Sequence, residues 1–299
     1  MGDRLITALC ADAMVRIVAI SGVELVAEAR RIHKLSRVGT AALGRQLLMT
    51  AIMAADLKNE TDRVSTIVKG GGPGGNLVCT GNPELEVKGT VAHPEVELPP
   101  KMNGKLDVSG FVGADGQVTV VRDLSLKEPY VGTCNLVSGE IAEDFAQYYL
   151  TSQQQPSIVY LGVREWAESG TLRAAGGMLV QPMPFCPDET VDLLQARAER
   201  ITSLSKQLDE GTSLNEILME LFGDLDLVIM AERRPRYHCD CSRHRIEQAL
   251  ISVGAEELKD MIEHDHGAEV QCHFCNRTYR FSEAQLTALL WASIPKKET

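Results

Sequence analysis

Two closely spaced cysteine pairs constrain the fold of this chain more than any other feature. Cys239 and Cys241 form a C-x-C pair, and Cys272 and Cys275 form a C-x-x-C pair after 30 intervening residues. Four thiolates suit tetrahedral zinc, because this ion favours soft sulfur ligands. The spacing therefore predicts one zinc ion bound by these four cysteines.

The C-x-C pair leaves a second chemistry open. Binding one metal through residues i and i+2 is feasible but uncommon, whereas a disulfide between Cys239 and Cys241 would close a very small, strained ring that is easily reduced. Nearby positive charge would keep thiolates ionised and open to oxidants; it comes from Arg243, Arg245, Arg277 and Arg280. Spacing alone favours a static structural zinc module over a redox switch.

The energetics of a small zinc domain strengthen the switch hypothesis. A structural zinc contributes on the order of 10–16 kcal/mol in domains that fold only with metal bound. Oxidation of the four ligands would expel the ion and unfold the region that they hold together. A helical segment of marginal stability lies directly before that region. Unfolding of the region could therefore release this segment from the surface that it covers.

The other cysteines and the histidines have simpler interpretations. The remaining cysteines occur singly and are interpreted as small buried apolar side chains: Cys10, Cys79, Cys134 and Cys186. Five of the seven histidines lie near the cluster: His238, His244, His264, His266 and His273. Because four cysteines already complete a tetrahedral site, we interpret these histidines as neighbours of the ligands or as solvated surface.

Charge and hydropathy exclude several function classes. The formal net charge of -11 argues against nucleic acid or an anionic membrane as the main partner. No apolar run approaches the roughly 20 residues of a membrane span. The N-terminus carries Asp3 and no long apolar stretch, which is a poor secretory signal. We therefore expect a cytoplasmic protein, in a compartment where thiols stay reduced.

The first region, residues 1–184, is predicted to be an α+β core of mixed sheet and helix. Apolar residues at helical spacing between Leu43 and Ala55 predict one long helix. Short alternating segments separated by turn signals, including the one with Val96 and Leu98, predict antiparallel strands. Because strands and helices do not alternate regularly along the sequence, the pattern indicates the α+β class.

The second region, residues 185–235, is predicted to be a metastable helical linker. It has 11 acidic against 5 basic residues, a net charge of -6, and a capping box at Ser213 and Glu216. Short, amphipathic and self-repelling helices need a surface to dock on. The candidate docking residues are Leu193, Leu194, Leu214, Leu218 and Phe222.

The third region, residues 236–299, is predicted to be a small α-rich zinc domain. With some 60 residues, its core alone is often insufficient, and a metal is a common supplement. A capping box at Ser282 and Gln285 opens its last helix.

No catalytic motif is convincing. Gly70, Gly72 and Gly75 stand in the order of a dinucleotide fingerprint, but a strand pattern follows them instead of a helix, so they are interpreted as a turn. The sequence therefore predicts a protein that is not an enzyme.

Several motifs together resemble one family. "CDCSRHR" followed by "CHFC" after 30 residues resembles the zinc motif of the redox-regulated thirty-three-kilodalton heat-shock chaperones. "DLSLKEPYVGTCNLVSGEIAEDFAQYYLTSQQQPSIVYLGV" and "AGGMLVQPMP" resemble two stretches of that family's core. The resemblance extends over essentially the whole chain.

The resemblance implies a mechanism. Cys239, Cys241, Cys272 and Cys275 would hold zinc in the reduced, inactive state. Hypochlorous acid, or peroxide with heat, would convert them to Cys239–Cys241 and Cys272–Cys275 disulfides and release the zinc. The linker would then unfold and the core, residues 1–184, would take part in client binding. The protein would act as an ATP-independent holdase for unfolding clients and pass them to ATP-driven chaperones, and dimerisation of the oxidised form stays open.

The family's Tyr-x-x-Ser-Glu-Gln motif falls on Tyr149, Ser152, Gln153 and Gln154, which are candidates for a strand near the client surface. Gln153 replaces the usual glutamate, and His244 stands where the family often has an acid. Two other functions remain alternatives. One is a static zinc knuckle that binds a partner such as nucleic acid, and the other is a thiol–disulfide oxidoreductase that uses Cys272 and Cys275.

Overall fold

A computed structural model describes residues 2–166 and 169–293 of the chain. The chain divides into two compact units, the first ending at His238 and the second beginning at Cys239. Residues 294–299 of the predicted zinc domain lie outside the described residues.

The first unit contains two antiparallel sheets and seven helices within the described ranges. Its strands are β1 (Arg4–Cys10), β2 (Val15–Ser21), β3 (Arg63–Lys69), β4 (Leu77–Gly81), β5 (Glu86–Val91), β6 (Gln117–Asp123), β7 (Tyr130–Asn135), β8 (Ile158–Glu165), β9 (Leu172–Pro182), β10 (Val228–Arg233) and β11 (Arg236–Tyr237). Its helices are α1 (Val23–His33), α2 (Arg37–Ala54), α3 (Val108–Val112), α4 (Ala142–Ser152), α5 (Asp188–Ile201), α6 (Leu204–Asp209) and α7 (Leu214–Phe222).

The strand order places a five-stranded and a six-stranded sheet around one central helix. The orders are β10-β1-β2-β9-β8 and β11-β5-β4-β3-β6-β7, with β11 the parallel exception. Helix α2 is the predicted long helix, and it contacts both sheets. It buries every residue except Arg37 and Arg45, and the Ser36 side chain accepts a hydrogen bond from Gly39 N at 3.0 Å to cap its first turn. The apolar core around α2 is called the first cluster.

A second cluster covers the opposite face of the five-stranded sheet. Side chains alternate between the two faces of a strand, so Ile6, Ala8 and Cys10 of β1 point away from the first cluster. Residues of α5, α6 and α7 pack on this face, including Leu204 and Ile217, both fully buried. The acidic segment therefore has the docking surface that its composition requires.

Two details differ from the expectation. Residues 185–235 are not helical throughout, because Val228–Arg233 forms the edge strand β10 beside β1. The segment with Val96 and Leu98 is not a strand but a loop, although both side chains are partly buried against the first cluster. Proline at positions 94, 99 and 100 removes backbone donors that a sheet would need.

The predicted glycine turn is confirmed, since it joins β3 to β4. A Cβ atom at Gly70 or Gly72 would lie 2.3–2.5 Å from backbone atoms of residues 111–113. The glycines therefore allow two backbone segments to approach closely. Among the described residues, no helix combines the length and the apolar character needed to cross a membrane.

The second unit is small and mostly helical. Its elements are α8 (Arg243–Val253), α9 (Ala255–Glu263), β12 (Gly267–Gln271), β13 (Thr278–Ser282) and α10 (Glu283–Ser293). The apolar residues that form its buried core in the described part are few: Leu250, Leu258, Phe281 and Leu286. The α+β class with a small α-rich C-terminal unit is confirmed, and so little core leaves the unit dependent on another source of stability.

Candidate metal centre

The first cysteine pair lies in the loop that leads into α8. Cys239 and Cys241 precede Ser242, whose side chain accepts a hydrogen bond from Arg245 N at 3.3 Å. This N-cap fixes where the helix begins, and therefore the position of the loop before it. The Asp240 carboxylate between the two cysteines pairs with the Arg245 guanidinium.

The second pair occupies the turn between β12 and β13. The Cys272 carbonyl accepts hydrogen bonds from Asn276 N at 2.8 Å and from Cys275 N at 3.4 Å, and Cys272 N donates to Arg277 O at 2.9 Å. Asn276 takes the left-handed conformation, φ 57°, that closes the turn. The hairpin thereby holds both thiols in one tight loop.

The four sulfur atoms converge on a single point. All of them lie within 4.8 Å of one another. Two close contacts join the two pairs: Cys239 Sγ to Cys272 Sγ at 3.7 Å, and Cys241 Sγ to Cys275 Sγ at 3.3 Å. Tetrahedral zinc with bonds of about 2.3 Å would place its sulfur ligands about 3.8 Å apart. The donor set and its spacing therefore fit one tetrahedral ion.

The electrostatics of the site also favour a cation. Burial alone would raise the pKa of Cys241, but hydrogen bonds from the Tyr279 hydroxyl and from the neighbouring thiols bring it below its usual range. The pKa of Cys275 is raised by burial and by the sulfur atoms of Cys241 and Cys272. One thiolate is thus favoured, and further ionisation is opposed by charge repulsion that a divalent cation would remove.

The arginines near the site act differently from the expectation. Arg245 pairs with Asp240, Arg280 with Glu269, and Arg243 with Glu247. The Arg243 guanidinium also lies 4.3 Å from the Phe281 ring centre. Arg277 does interact with the charges of Cys241 and Cys275. Three of the four guanidinium groups therefore serve mainly to hold the unit together.

The histidines lie outside the sulfur cluster. His273 is exposed although it stands between two of the cysteines. His264 Nδ1 lies 2.8 Å from an Asp260 carboxylate oxygen, and His266 Nδ1 lies 3.5 Å from Glu283. In the part of the chain that the structure describes, the only His, Cys, Asp or Glu group able to hold a metal consists of the four cysteines.

Sequence reasoning missed Tyr279. Its hydroxyl donates a hydrogen bond to Cys241 Sγ at 3.1 Å from strand β13. A signal was available in the alternation along this strand, because Tyr279 and Phe281 share one face and Phe281 is in the core. An aromatic residue on the inward face so close to the second pair could have been considered a neighbour of the metal.

The Tyr-x-x-Ser motif lies at the end of α4 and not in a strand, so that expectation was wrong. Tyr149 is buried, Ser152 Oγ donates to Thr133 O at 2.7 Å, and Gln154 follows the helix with φ 53°. Gln153 Nε2 donates to Tyr148 Oη at 2.9 Å and to Tyr130 Oη at 3.2 Å. Glutamate could only accept from these hydroxyls, so Gln153 reverses the polarity of both hydrogen bonds.

Four of the five candidate docking residues belong to the second cluster. They are Leu194, Leu214, Leu218 and Phe222, each at most 3% exposed. Leu193 is only half-buried and lies outside this set. Leu194 and Ile201, seven residues apart, form the buried stripe of α5, and Leu193 lies about 100° around the helix from it.

These features define an α+β protein with two units, the smaller of which is built around a four-cysteine site that could hold a metal ion. The Hsp33 protein family matches residues 3–282. The chain therefore belongs to the Hsp33 family, as its motifs predicted.

Relatives agree over almost the whole chain. The chain is 40% identical over 290 residues to a 33 kDa chaperonin of Clostridium botulinum, covering 97% of this chain and 98% of that one. It is 41% identical over 290 residues to one of Alkaliphilus metalliredigens, covering 97% and 99%. The crystal structure of a 33 kDa chaperonin from Thermotoga maritima matches with a TM-score of 0.88 at 35% identity, covering 98% and 99%. These relatives are named as chaperonins and not as enzymes, which confirms the class of non-enzymatic chaperone.

Proposed function

We propose that the chain is a redox-regulated, ATP-independent holdase that binds unfolding proteins under oxidative stress. The observation that carries this proposal is the convergence of Cys239, Cys241, Cys272 and Cys275 within 4.8 Å. In the reduced state these residues would hold one zinc ion. The ion would supply structural stability to the second unit and keep the holdase inactive.

Oxidation of the cysteines is the proposed trigger. Two thiolates and one hypochlorous acid molecule would give one disulfide, one chloride and one hydroxide, with two electrons passing to the oxidant. Two such reactions would form Cys239–Cys241 and Cys272–Cys275 and remove all four ligands of the metal. With a buried core of only four apolar residues in its described part, the second unit would then unfold.

The other cysteines are poor competitors for the oxidant. Burial raises the pKa of Cys10 and of Cys134 to about 11, and it also raises the pKa of Cys79 and of Cys186. Thiols with such pKa values carry little thiolate at neutral pH, and the thiolate is the form that oxidants attack. Oxidation would therefore be directed to the clustered site.

The linker is the proposed cover of a client-binding face. Its helices bury the second cluster, and Asp209 binds Arg173 at 2.5 Å and Arg164 at 3.3 Å. Tyr160 and Ser205 share a hydrogen bond of 2.6 Å. Short helices with a net charge of -6 would leave this face readily once the unit that follows them unfolds. The uncovered apolar face is what a holdase requires.

The partners and location follow from this function. Unfolding proteins would be the clients, ATP-dependent chaperones would receive them, and the oxidised form would be free to dimerise through its uncovered face. The negative charge disfavours nucleic acid and membrane surfaces. A reducing cytoplasm would keep the eight cysteines as thiols or metal-bound thiolates.

The test is oxidation of the reduced, zinc-loaded protein with hypochlorous acid, or with hydrogen peroxide at raised temperature. We expect zinc release, disulfide formation at the four cysteines and suppression of client aggregation without ATP. The Cys134→Ser variant is a matched control that should behave like the parent. Full zinc retention with no gain in holdase activity would refute the proposal.

A further inference from the structure

Strand β10 is unusually exposed for a strand of apolar sequence. β10 is the edge strand of the five-stranded sheet. The exposed fraction is 55% for Val228, 44% for Ile229 and 58% for Met230. An exposed apolar edge strand is a hazard that proteins normally avoid, because it can pair with other chains. Such a strand therefore suggests a functional role.

Backbone pairing, with little side-chain burial, holds β10 in place. The antiparallel ladder with β1 is interrupted, since Thr7 pairs with Ala231 and Ala8 pairs with Ile229, leaving Met230 as an extra residue. Besides the ladder, the Arg233 guanidinium donates a hydrogen bond to Pro83 O, and substantially exposed ion pairs join Glu232 to Arg4 and Arg234 to Glu24. Exposed pairs contribute between roughly 0 and 1 kcal/mol. Because its side chains are little buried, β10 could leave the sheet at a small cost in free energy.

The neighbouring strand β1 is different. Leu5, Ile6 and Ala8 are fully buried. Ile6 and Ala8 belong to the second cluster, which α5, α6 and α7 cover. Since these helices and β10 are parts of one segment, its release would expose an apolar face and an unpaired strand edge side by side.

We propose that the β1 edge, together with the second cluster, binds extended apolar segments of client proteins by strand addition, and that β10 occupies this place in the closed state. The inference rests on the proposed function, because it needs the linker to leave. The resident strand indicates the occupant: an extended segment of six residues that includes a run of four apolar ones, as at positions 228–231 of β10. Main-chain hydrogen bonds would give affinity with little demand on sequence, which suits a chaperone for many clients.

Peptides with the β10 sequence test the idea directly. In the observed register Val228 and Ala231 pair with residues of one parity in β1, and Ile229 and Glu232 with the other. In antiparallel pairing only one parity directs its N–H groups at the partner strand. Two analogues of residues 225–235, one N-methylated at positions 228 and 231 and the other at 229 and 232, therefore block opposite edges while keeping the same side chains.

The analogues are added to the oxidised full-length protein, and their competition with a fluorescent unmethylated peptide is measured. We expect one analogue to compete and the other to be weaker by tenfold or more. Equal competition by both would overturn strand addition and leave apolar contact alone. Zinc release and aggregation suppression are measured on the same sample, so failure of the proposed function is seen separately as a lack of both.

Two chain variants provide a second test in the reduced, zinc-loaded state. Val228→Pro and Ile229→Pro place proline on opposite edges of β10, and only one of them removes a hydrogen bond to β1. That variant should bind the fluorescent peptide with zinc still bound, whereas the other should resemble the parent. If proline at 228 opens the site, the analogue methylated at 228 and 231 must be the weak competitor; if proline at 229 opens it, the weak one must be methylated at 229 and 232. The opposite combination would overturn the proposal.

Discussion

Each of the two units is stabilised internally by a different means. The first unit surrounds α2 with two sheets, so that its stability is distributed over a large apolar core. The buried core of the second unit, in its described part, consists only of Leu250, Leu258, Phe281 and Leu286, and four sulfur atoms converge in its loops. A distributed core yields little to any single chemical event, whereas a unit stabilised by a metal on four thiolates would be dismantled by oxidising them.

Metal removal should produce the largest difference in stability between the two units. Chelation of zinc under reducing conditions should unfold the second unit, because the lost contribution is on the order of 10 kcal/mol. Amide hydrogen exchange followed by mass spectrometry should show loss of protection in α8 and β13 and retained protection in α2. A chelator already saturated with zinc is the control. Retained protection in α8 and β13 would contradict the comparison.

The same substitution in each core should have different consequences. Leu47 in α2 and Leu286 in α10 are both fully buried. Leu47→Ala should lower the free energy of unfolding of the first unit by about 2–5 kcal/mol in urea titrations and leave zinc affinity unchanged. Leu286→Ala should weaken zinc binding, measured by competition with an indicator, because folding and binding are coupled there. Equal zinc affinities in both variants would argue against this coupling.

The linker can also be loosened at the contact between α6 and β9, without changing a residue of the first cluster or of the second unit. A Cβ at Gly176 in β9 would lie 2.5 Å from Leu204 Cδ2 and from Leu208 Cδ1 of α6. Gly176→Val should therefore displace α6, at a cost of about 1–3 kcal/mol, while zinc stays bound. We expect faster proteolysis within residues 185–235 and partial holdase activity without oxidant. Thr133→Val, at an exposed position of β7 in the other sheet, is the control.

The sequence predicted the features that depend on local pattern. Helical spacing predicted α2, the capping box at Ser213 and Glu216 predicted the start of α7, and cysteine spacing predicted the group of four cysteines that could hold a metal ion. Each of these is encoded within a few residues, or in a spacing that a single ion must satisfy.

Features that depend on tertiary pairing were missed. β10 follows a run of helices, and only its hydrogen bonds to β1, more than 200 residues earlier, make it a strand. The hydroxyl of Tyr279 reaches Cys241 because the hairpin folds back on the loop before α8. The alternation along β13 places Tyr279 on the inward face, but nothing in the local sequence identifies Cys241 as its partner, or β1 as the partner of β10.

The hydrogen bond from Tyr279 should tune the second unit more finely than its core residues do. A donor to a metal-bound thiolate orients it and withdraws electron density, and loss of such partners costs about 10-fold to 100-fold in metal affinity. Tyr279→Phe should weaken zinc binding about tenfold and speed zinc release by hypochlorous acid. An indicator dye measures both. Tyr130→Phe, in the first unit, should change neither, and unchanged release from Tyr279→Phe would assign the hydroxyl no role.

Acid should affect the first unit only slightly, through Glu140. Burial would raise the pKa of Glu140, but its bonds to Lys101 and Arg45, each 2.6 Å, lower it overall. A carboxylate with a lowered pKa stabilises the fold at pH values above its unfolded pKa of 4.5, and this stabilisation is lost as the pH falls through the folded pKa. Glu140→Gln should therefore reduce the dependence of urea stability on pH below 4.5, by less than about 1 kcal/mol. Exposed Glu128→Gln is the matched control, and an acid dependence that Glu140→Gln leaves unchanged would show that other carboxylates determine it.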